Sequence, residues 1–268
     1  MYFETHAHYD FKHFDTDRDQ LLGVELPRAG VSHVINIGTN IEAAKKSIEF
    51  AKKYDYMYAG LGFHPLNCDE MSDEGLGKLE KLAREPKVVA IGEIGLDYYW
   101  DTAPPVDWQK KCFIQQLDLA VKLNLPVIIH CRKAHDDVFE ILAASGADEK
   151  VGGVMHCYSG TPEMAVEYAK MGFYIGVGGV VTYKNSEILR EVVRAVPVER
   201  LLIETDCPFM PPEPKRGTRN DSQNLYYIVE KIGVILGMSH DEVARVTCEN
   251  AKRLFCNSFA TIAPRCCK

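Results

Sequence analysis

Seven side chains in this sequence could hold or move charge at a reaction centre: His6, His8, His64, Glu93, His130, His156 and Asp206. Imidazole and carboxylate are the ligand set of Zn, Mn, Fe and related divalent ions. His6 and His8 stand two apart in His-Ala-His, so on a strand both rings point the same way. Five histidines and two carboxylates exceed what a single four- to six-coordinate ion can use. Two ions bridged by a carboxylate is the economical arrangement. Cations roughly 3.5–4 Å apart would clamp an in-line displacement at phosphorus or activate a water against a carbonyl. Any one of these histidines, taken alone, is better explained as a surface or hydrogen-bonded core residue. The joint pattern is not.

Position along the chain supplies the reason. Short β-like runs alternate with amphipathic helical stretches, and strands are expected at residues 2–6, 32–37, 57–62, 88–94, 126–130, 153–156, 173–177 and 201–205. Runs such as Val88-Val89-Ala90-Ile91 suit parallel strands buried on both faces. Asn40 reads as an N-cap, Thr161-Pro162 as a cap followed by proline at the first helical position, and Ser239-x-x-Glu242 as a capping box. Further helices are expected over 107–123, 134–144, 187–196 and 222–236. Eight strand–helix units predict an α/β fold of one domain, a closed (β/α)8 TIM barrel over residues 1–255. The runner-up, an open doubly wound sheet, lacks a Gly-x-Gly-x-x-Gly turn after the first strand. All seven residues fall at or just beyond strand C-terminal ends, the face where barrel enzymes keep their sites. Residues 256–268 read as a tail of unknown role.

Composition narrows the field. The 268 residues are 46% hydrophobic, 26% charged and 10% aromatic, which excludes disordered, collagenous and membrane classes. A net charge of −7 gives no global attraction to nucleic acid or anionic membrane. Any grip on a polyanion must then come from metal ions or a few local cations. Nine cysteines without a Cys-x-x-Cys pair read as reduced thiols of a cytoplasmic protein. The first residues show no basic stretch followed by an apolar run, so no signal peptide is expected. No obligate protein partner is inferred.

Weaker signals lie beside the main set. Cys131, Cys157 and Cys207 each follow a proposed ligand, and strand alternation makes them packing residues. The loop holding Lys215, Arg216 and Arg219 follows the last strand, where barrels bind phosphate. Tyr98, Tyr99 and Trp100 could stack a base or sugar. Glu204, two residues before Asp206, could orient a histidine.

His6-Ala7-His8, Gly62-Phe63-His64-Pro65, Gly92-Glu93-Ile94-Gly95-Leu96-Asp97, His130-Cys131-Arg132, His156-Cys157-Tyr158-Ser159-Gly160 and Glu204-Thr205-Asp206-Cys207-Pro208 together resemble the TatD family. These are metal-dependent hydrolases of the amidohydrolase group of barrels, described mostly as DNases. The resemblance implies a TIM barrel and phosphodiester hydrolysis, often from the 3′ end. It also implies two divalent ions, with Zn, Mn or Mg as candidates. Carried over, His6, His8, Glu93 and Asp206 would hold one ion. Glu93, His130 and His156 would hold the other, and His64 would contact the substrate phosphate. Glu4 stands where the family usually has Asp, and Asp221-Ser222 follows Arg219-Asn220 where Glu-Pro is typical.

The expected activity is therefore cleavage of DNA, with RNA as a second candidate substrate, by a metal-activated water. Asp206 is the expected base, Glu93 the bridging carboxylate, and His64, Arg216, Arg219 and Tyr98 the expected substrate contacts. The rival enzyme reading keeps the metals and hydrolyses an ester or amide, as an aminoacyl-tRNA deacylase would. A non-catalytic metal-binding module ranks last, because the ligands leave room for water at a catalytic face.

Overall fold

The computed structural model describes residues 1–255, apart from the side chains at 148 and 149. The tail read at 256–268 lies outside the described residues. Eight parallel strands follow one another around one sheet in chain order. They are β1 (Tyr2–Ala7), β2 (Val31–Gly38), β3 (Met57–Leu61), β4 (Val88–Asp97), β5 (Val127–Arg132), β6 (Gly153–Met155), β7 (Tyr174–Val177) and β8 (Leu201–Ile203). The last strand returns to the first. Ala7 and Cys207 form a parallel bridge, His8 N–H donates to Cys207 O at 2.9 Å, and Asp206 N–H donates to His6 O at 3.0 Å. The sheet is a closed (β/α)8 barrel, and the open-sheet alternative falls away.

Parallel neighbours need long crossovers, and helices supply them. Ile41–Lys53, Val106–Leu123, His135–Ser145, Pro162–Lys170, Glu187–Ala195, Leu225–Leu236 and His240–Phe255 lie where the sequence pattern puts them. Their caps form as read: Asn40 accepts from Ala43 N–H, and Thr161 accepts from Met164 N–H. Ser239 and Glu242 exchange reciprocal bonds. Two crossovers carry helix that the pattern did not name, Asp73–Leu82 and the stretch 18–28 with a π turn at Leu21–Glu25. Gly75 and Gly77 in one, and Gly23 and Pro27 in the other, lower intrinsic helix propensity. Packing decides there instead. No helix among the described residues is long and apolar enough to cross a membrane.

One buried cluster takes a residue from every strand and fills the barrel interior: Phe3, Ile35, Tyr58, Val89, Ile128, Val154, Tyr174 and Leu202. The final helix adds Cys248, Ala251 and Phe255 to it. A larger cluster lies between strands and helices. Ile128, Val154 and Leu202 stand two residues before His130, His156 and Glu204. With a strand period of two, the inner face that is apolar within the barrel turns polar at its mouth.

Close approach of β4 to β5 fixes where that mouth begins. A Cβ on Gly95 would lie 2.0 Å from the His130 carbonyl oxygen, and the residue has φ +141°. Gly95→Ala is therefore expected to cost about 2–4 kcal/mol through overpacking and backbone strain. Urea denaturation would show it as a lowered midpoint. A wild-type midpoint would mean that the β4–β5 contact is not tight.

Candidate metal centre and its cavity

Glu93 stands at the middle of the converging side chains. Its Oε2 faces His6 Nε2 at 3.3 Å and His8 Nε2 at 3.8 Å. The other oxygen, Oε1, faces His130 Nδ1 at 2.8 Å, and His64 Nε2 and His156 Nε2 at 3.7 Å each. Asp206 Oδ1 approaches from the end of β8, 3.3 Å from His8 Nε2, 3.7 Å from His6 Nε2 and 3.8 Å from His156 Nε2. Asp206 and Cys157 have φ of 54° and 45°, in the left-handed region, where the chain turns sharply off its strand.

Partners behind the rings decide which nitrogen faces inward. Ile37 O can only accept, so His8 Nδ1 donates to it at 3.1 Å and presents the Nε2 lone pair to the cluster. His130 Nε2 lies 3.0 Å from Asp97 Oδ2, which turns Nδ1 toward Glu93. His156 Nδ1 faces Glu204 Oε1 at 3.2 Å. Glu204 is itself buried and receives Cys157 N–H. Gly176 keeps space for it, since a Cβ there would sit 2.5 Å from Glu204 Oε1. Glu204 thus occupies the histidine-orienting position expected of it. His64 differs: Leu66 N–H donates to its Nδ1 at 3.1 Å, so the ring proton sits on Nε2.

Electrostatics follow from this packing. Burial opposes charge on Glu93, but His6, His64 and His156 outweigh it and hold the carboxyl well below its ordinary range. Asp206 is also lowered: burial works against its charge, while His8 and His156 favour it. Burial and the charge of His130 push His64 down to about 3, leaving a neutral ring. Burial disfavours charge on His156 too, yet Glu204 and Glu93 raise it to about 10. The site demands positive charge, from protons on imidazole or from bound cations.

The donor set fits divalent cations. His6 Nε2 and His8 Nε2 are 3.1 Å apart, and His6 Nδ1 is buried without a partner. Four overlapping groups among the described residues have ligand atoms close enough to share an ion: His6, His8 and Glu93; His6, His156 and Asp206; His64, Glu93 and His130; and, behind the cluster, His156, Cys157 and Glu204. Glu4 braces them from below, accepting from Thr205 N–H at 2.9 Å, Thr205 Oγ1 at 2.6 Å and His6 N–H at 3.2 Å. Burial pushes its carboxyl up to about 7.

A cavity of about 860 Å³ opens above the cluster, lined by His8, His64, Glu93, His130, His156 and Asp206. Trp100, Arg132, Phe11 and Phe209 form part of its wall. Of the expected substrate contacts, His64 lines the cavity and the other three do not. Arg219 is bound by both oxygens of Asp17, at 2.7 and 2.6 Å, and donates to His13 O at 2.9 Å. Its guanidinium lies over the Phe14 ring. Arg216 sits over Tyr183, and Tyr98 O–H donates to Asp137 Oδ2 at 2.6 Å. Competing partners within the protein hold all three. Burial pushes the Cys131 thiol up to about 12 and those of Cys157 and Cys207 up as well, which leaves no ready thiolate.

Sequence reasoning missed Asp97, Phe11, Phe209 and Arg132. Asp97 had a signal, since it lies on the Glu93 face of β4, four residues on. The loop aromatics had none.

A family model described as TatD related DNase matches residues 3–256. The Bacillus subtilis protein named uncharacterized metal-dependent hydrolase YabD is 45% identical over 256 residues, spanning 95% of this chain and 99% of its own. A protein of Cronobacter sakazakii named 3′-5′ ssDNA/RNA exonuclease TatD is 36% identical over 248 residues, covering 90% and 93%. The crystal structure of YJJV, a TatD homolog from Escherichia coli K12, superposes with a TM-score of 0.88 at 34% identity, covering 95% and 97%.

If Glu93 serves ions on both of its sides, its loss empties both. Mass-spectrometric metal counting after gel filtration should find two ions per wild-type chain and fewer than one in Glu93→Ala. An equal count in the variant would overturn the shared carboxylate.

Proposed function

The chain belongs to the TatD related DNase family of metal-dependent hydrolases, and we propose that it removes nucleotides from the 3′ end of single-stranded DNA. The observation that carries this reading is the split of Glu93, with one oxygen toward His6 and His8 and the other toward His130 and His156. That split supports two divalent ions. His6, His8, Glu93 and Asp206 would hold one, and Glu93, His130 and His156 the other. Imidazole-rich ligation favours Zn or Mn over Mg. When bound, such a pair supplies Lewis acidity, lowering the pKa of water and balancing charge on a phosphoryl group.

The remaining steps fall to side chains. Asp206 stays ionised, accepts a proton from the attacking water as the P–O bond to the 3′ oxygen breaks, and passes that proton to the leaving oxygen. His64, neutral and protonated on Nε2, donates to a phosphoryl oxygen as negative charge gathers there. Exposed ring faces at Trp100 and Phe209 suit unpaired bases rather than a stacked duplex. The relative named for both ssDNA and RNA supports RNA as a further substrate. Six free cysteines among the described residues support a reducing, cytoplasmic setting.

The cavity wall also carries Ile188, Leu189 and Met210, which favour a second reading, hydrolysis of an apolar ester or amide such as an aminoacyl-tRNA.

Single-stranded DNA labelled at either end separates the two. Protein reconstituted with Mg, Mn, Zn or Co should shorten it stepwise from the 3′ end. No cleavage with ions bound, beside turnover of esters, would favour the second reading. Asp206→Asn should lower kcat by about 10²–10⁴-fold, the usual worth of a general base. Near-wild-type turnover with ions retained would remove Asp206 from that role.

A further inference from the structure

We propose that the strand leaving the metal cluster passes over Phe11 and Phe209 into a second cavity, where Lys12 and Lys46 hold its backbone phosphates. This rests on the nucleic-acid reading above. The second cavity, about 530 Å³, shares Phe11, Thr39 and Phe209 with the first.

A row of rings joins the two. Phe11 stacks on His8 with centroids 5.2 Å apart, and meets Phe209 edge-on at 5.6 Å. His13 follows 6.1 Å from Phe209. The row begins on a member of the metal cluster and ends in the second cavity. Phe209 and His13 are exposed and offer a face or edge to a base without reading its identity.

The second cavity carries both signs of charge, with Lys12 and Lys46 beside Asp10 and Glu42. Lys12 and Lys46 are exposed and take no part in an ion pair among the described residues. The carboxylates beside them are engaged, Asp10 by Asn36 Nδ2 at 3.2 Å and Glu42 by Lys45 Nζ at 2.6 Å. In a chain of net charge −7, two exposed ammonium groups along a ring-lined path are the kind of local grip a polyanion needs. The loop that carries Phe11, Lys12 and His13 is also braced. Arg18 donates to Tyr9 O at 2.6 Å and Phe11 O at 3.0 Å, while Arg219 holds His13 O. Arg219 is thus a positioning residue for this path.

The test compares a single-stranded 12-mer with a dinucleotide, using metal-loaded wild type and the double variant Lys12→Gln/Lys46→Gln. The variant should lose about tenfold in kcat/KM on the 12-mer relative to the dinucleotide, through KM. Its dependence of log KM on log salt should become shallower by about 1.4, the worth of two single-strand phosphate contacts. His13→Ala, at a ring that lines the second cavity and not the first, should lower the same ratio without changing the salt slope. Equal losses on both substrates, or an unchanged salt slope in the lysine variant, would overturn the path. If wild type cleaves oligonucleotides and the variants match it, this inference alone fails. If wild type turns over esters and cleaves no oligonucleotide, the nucleic-acid reading fails and takes this one with it.

Discussion

A carboxylate taken out of water must be surrounded by positive charge or by donors, or it gives up its own charge. Glu93 is 4% exposed and keeps its charge, and much of the barrel's upper end is arranged around that fact. Histidines arrive from β1, β5, the turn after β3 and the turn after β6, so the compensation is drawn from elements far apart in sequence. Behind them stand the groups that aim each ring: Ile37 O, Asp97 and Glu204. Apolar residues one strand period lower then close the interior below.

The seam between β8 and β1 bears on the same site. Only a bridge and a few hydrogen bonds join these strands, yet His6 and His8 lie on one side of the seam and Asp206 on the other. Glu4 reaches across it to Thr205 with both carboxylate oxygens. Burial raises this acid to about 7, while the hydrogen bonds it accepts from Thr205 and His6 work against that rise.

Much of this was legible in the sequence. Strand positions came from apolar runs, and the seven reactive side chains were visible because they end those runs. What stayed hidden was tertiary. The ring tautomers depend on Ile37 O and Leu66 N–H, backbone groups that no residue letter reports. Helix 73–82 and the stretch 18–28 contain glycine or proline and form because the fold packs them. Arg219 looked like a phosphate contact because its loop follows the last strand. Asp17, 202 residues away in the chain, takes its guanidinium instead. Phe11 and Phe209 are apolar loop residues without periodicity, and only their meeting in space gives them meaning.

The joining of β1 to β8 has a consequence for how the molecule is made. The Glu4–Thr205 contact spans 201 residues, so the barrel cannot close before β8 has been made. His6 and His8 belong to the end of β1 and Asp206 to the end of β8, so the two sides of the site are made at opposite ends of the barrel. An early, half-made protein therefore holds only an unpaired fragment of the cation-binding cluster. Completing the topology brings Asp206 to the histidines, so the full set of candidate ligands exists only once the barrel has closed.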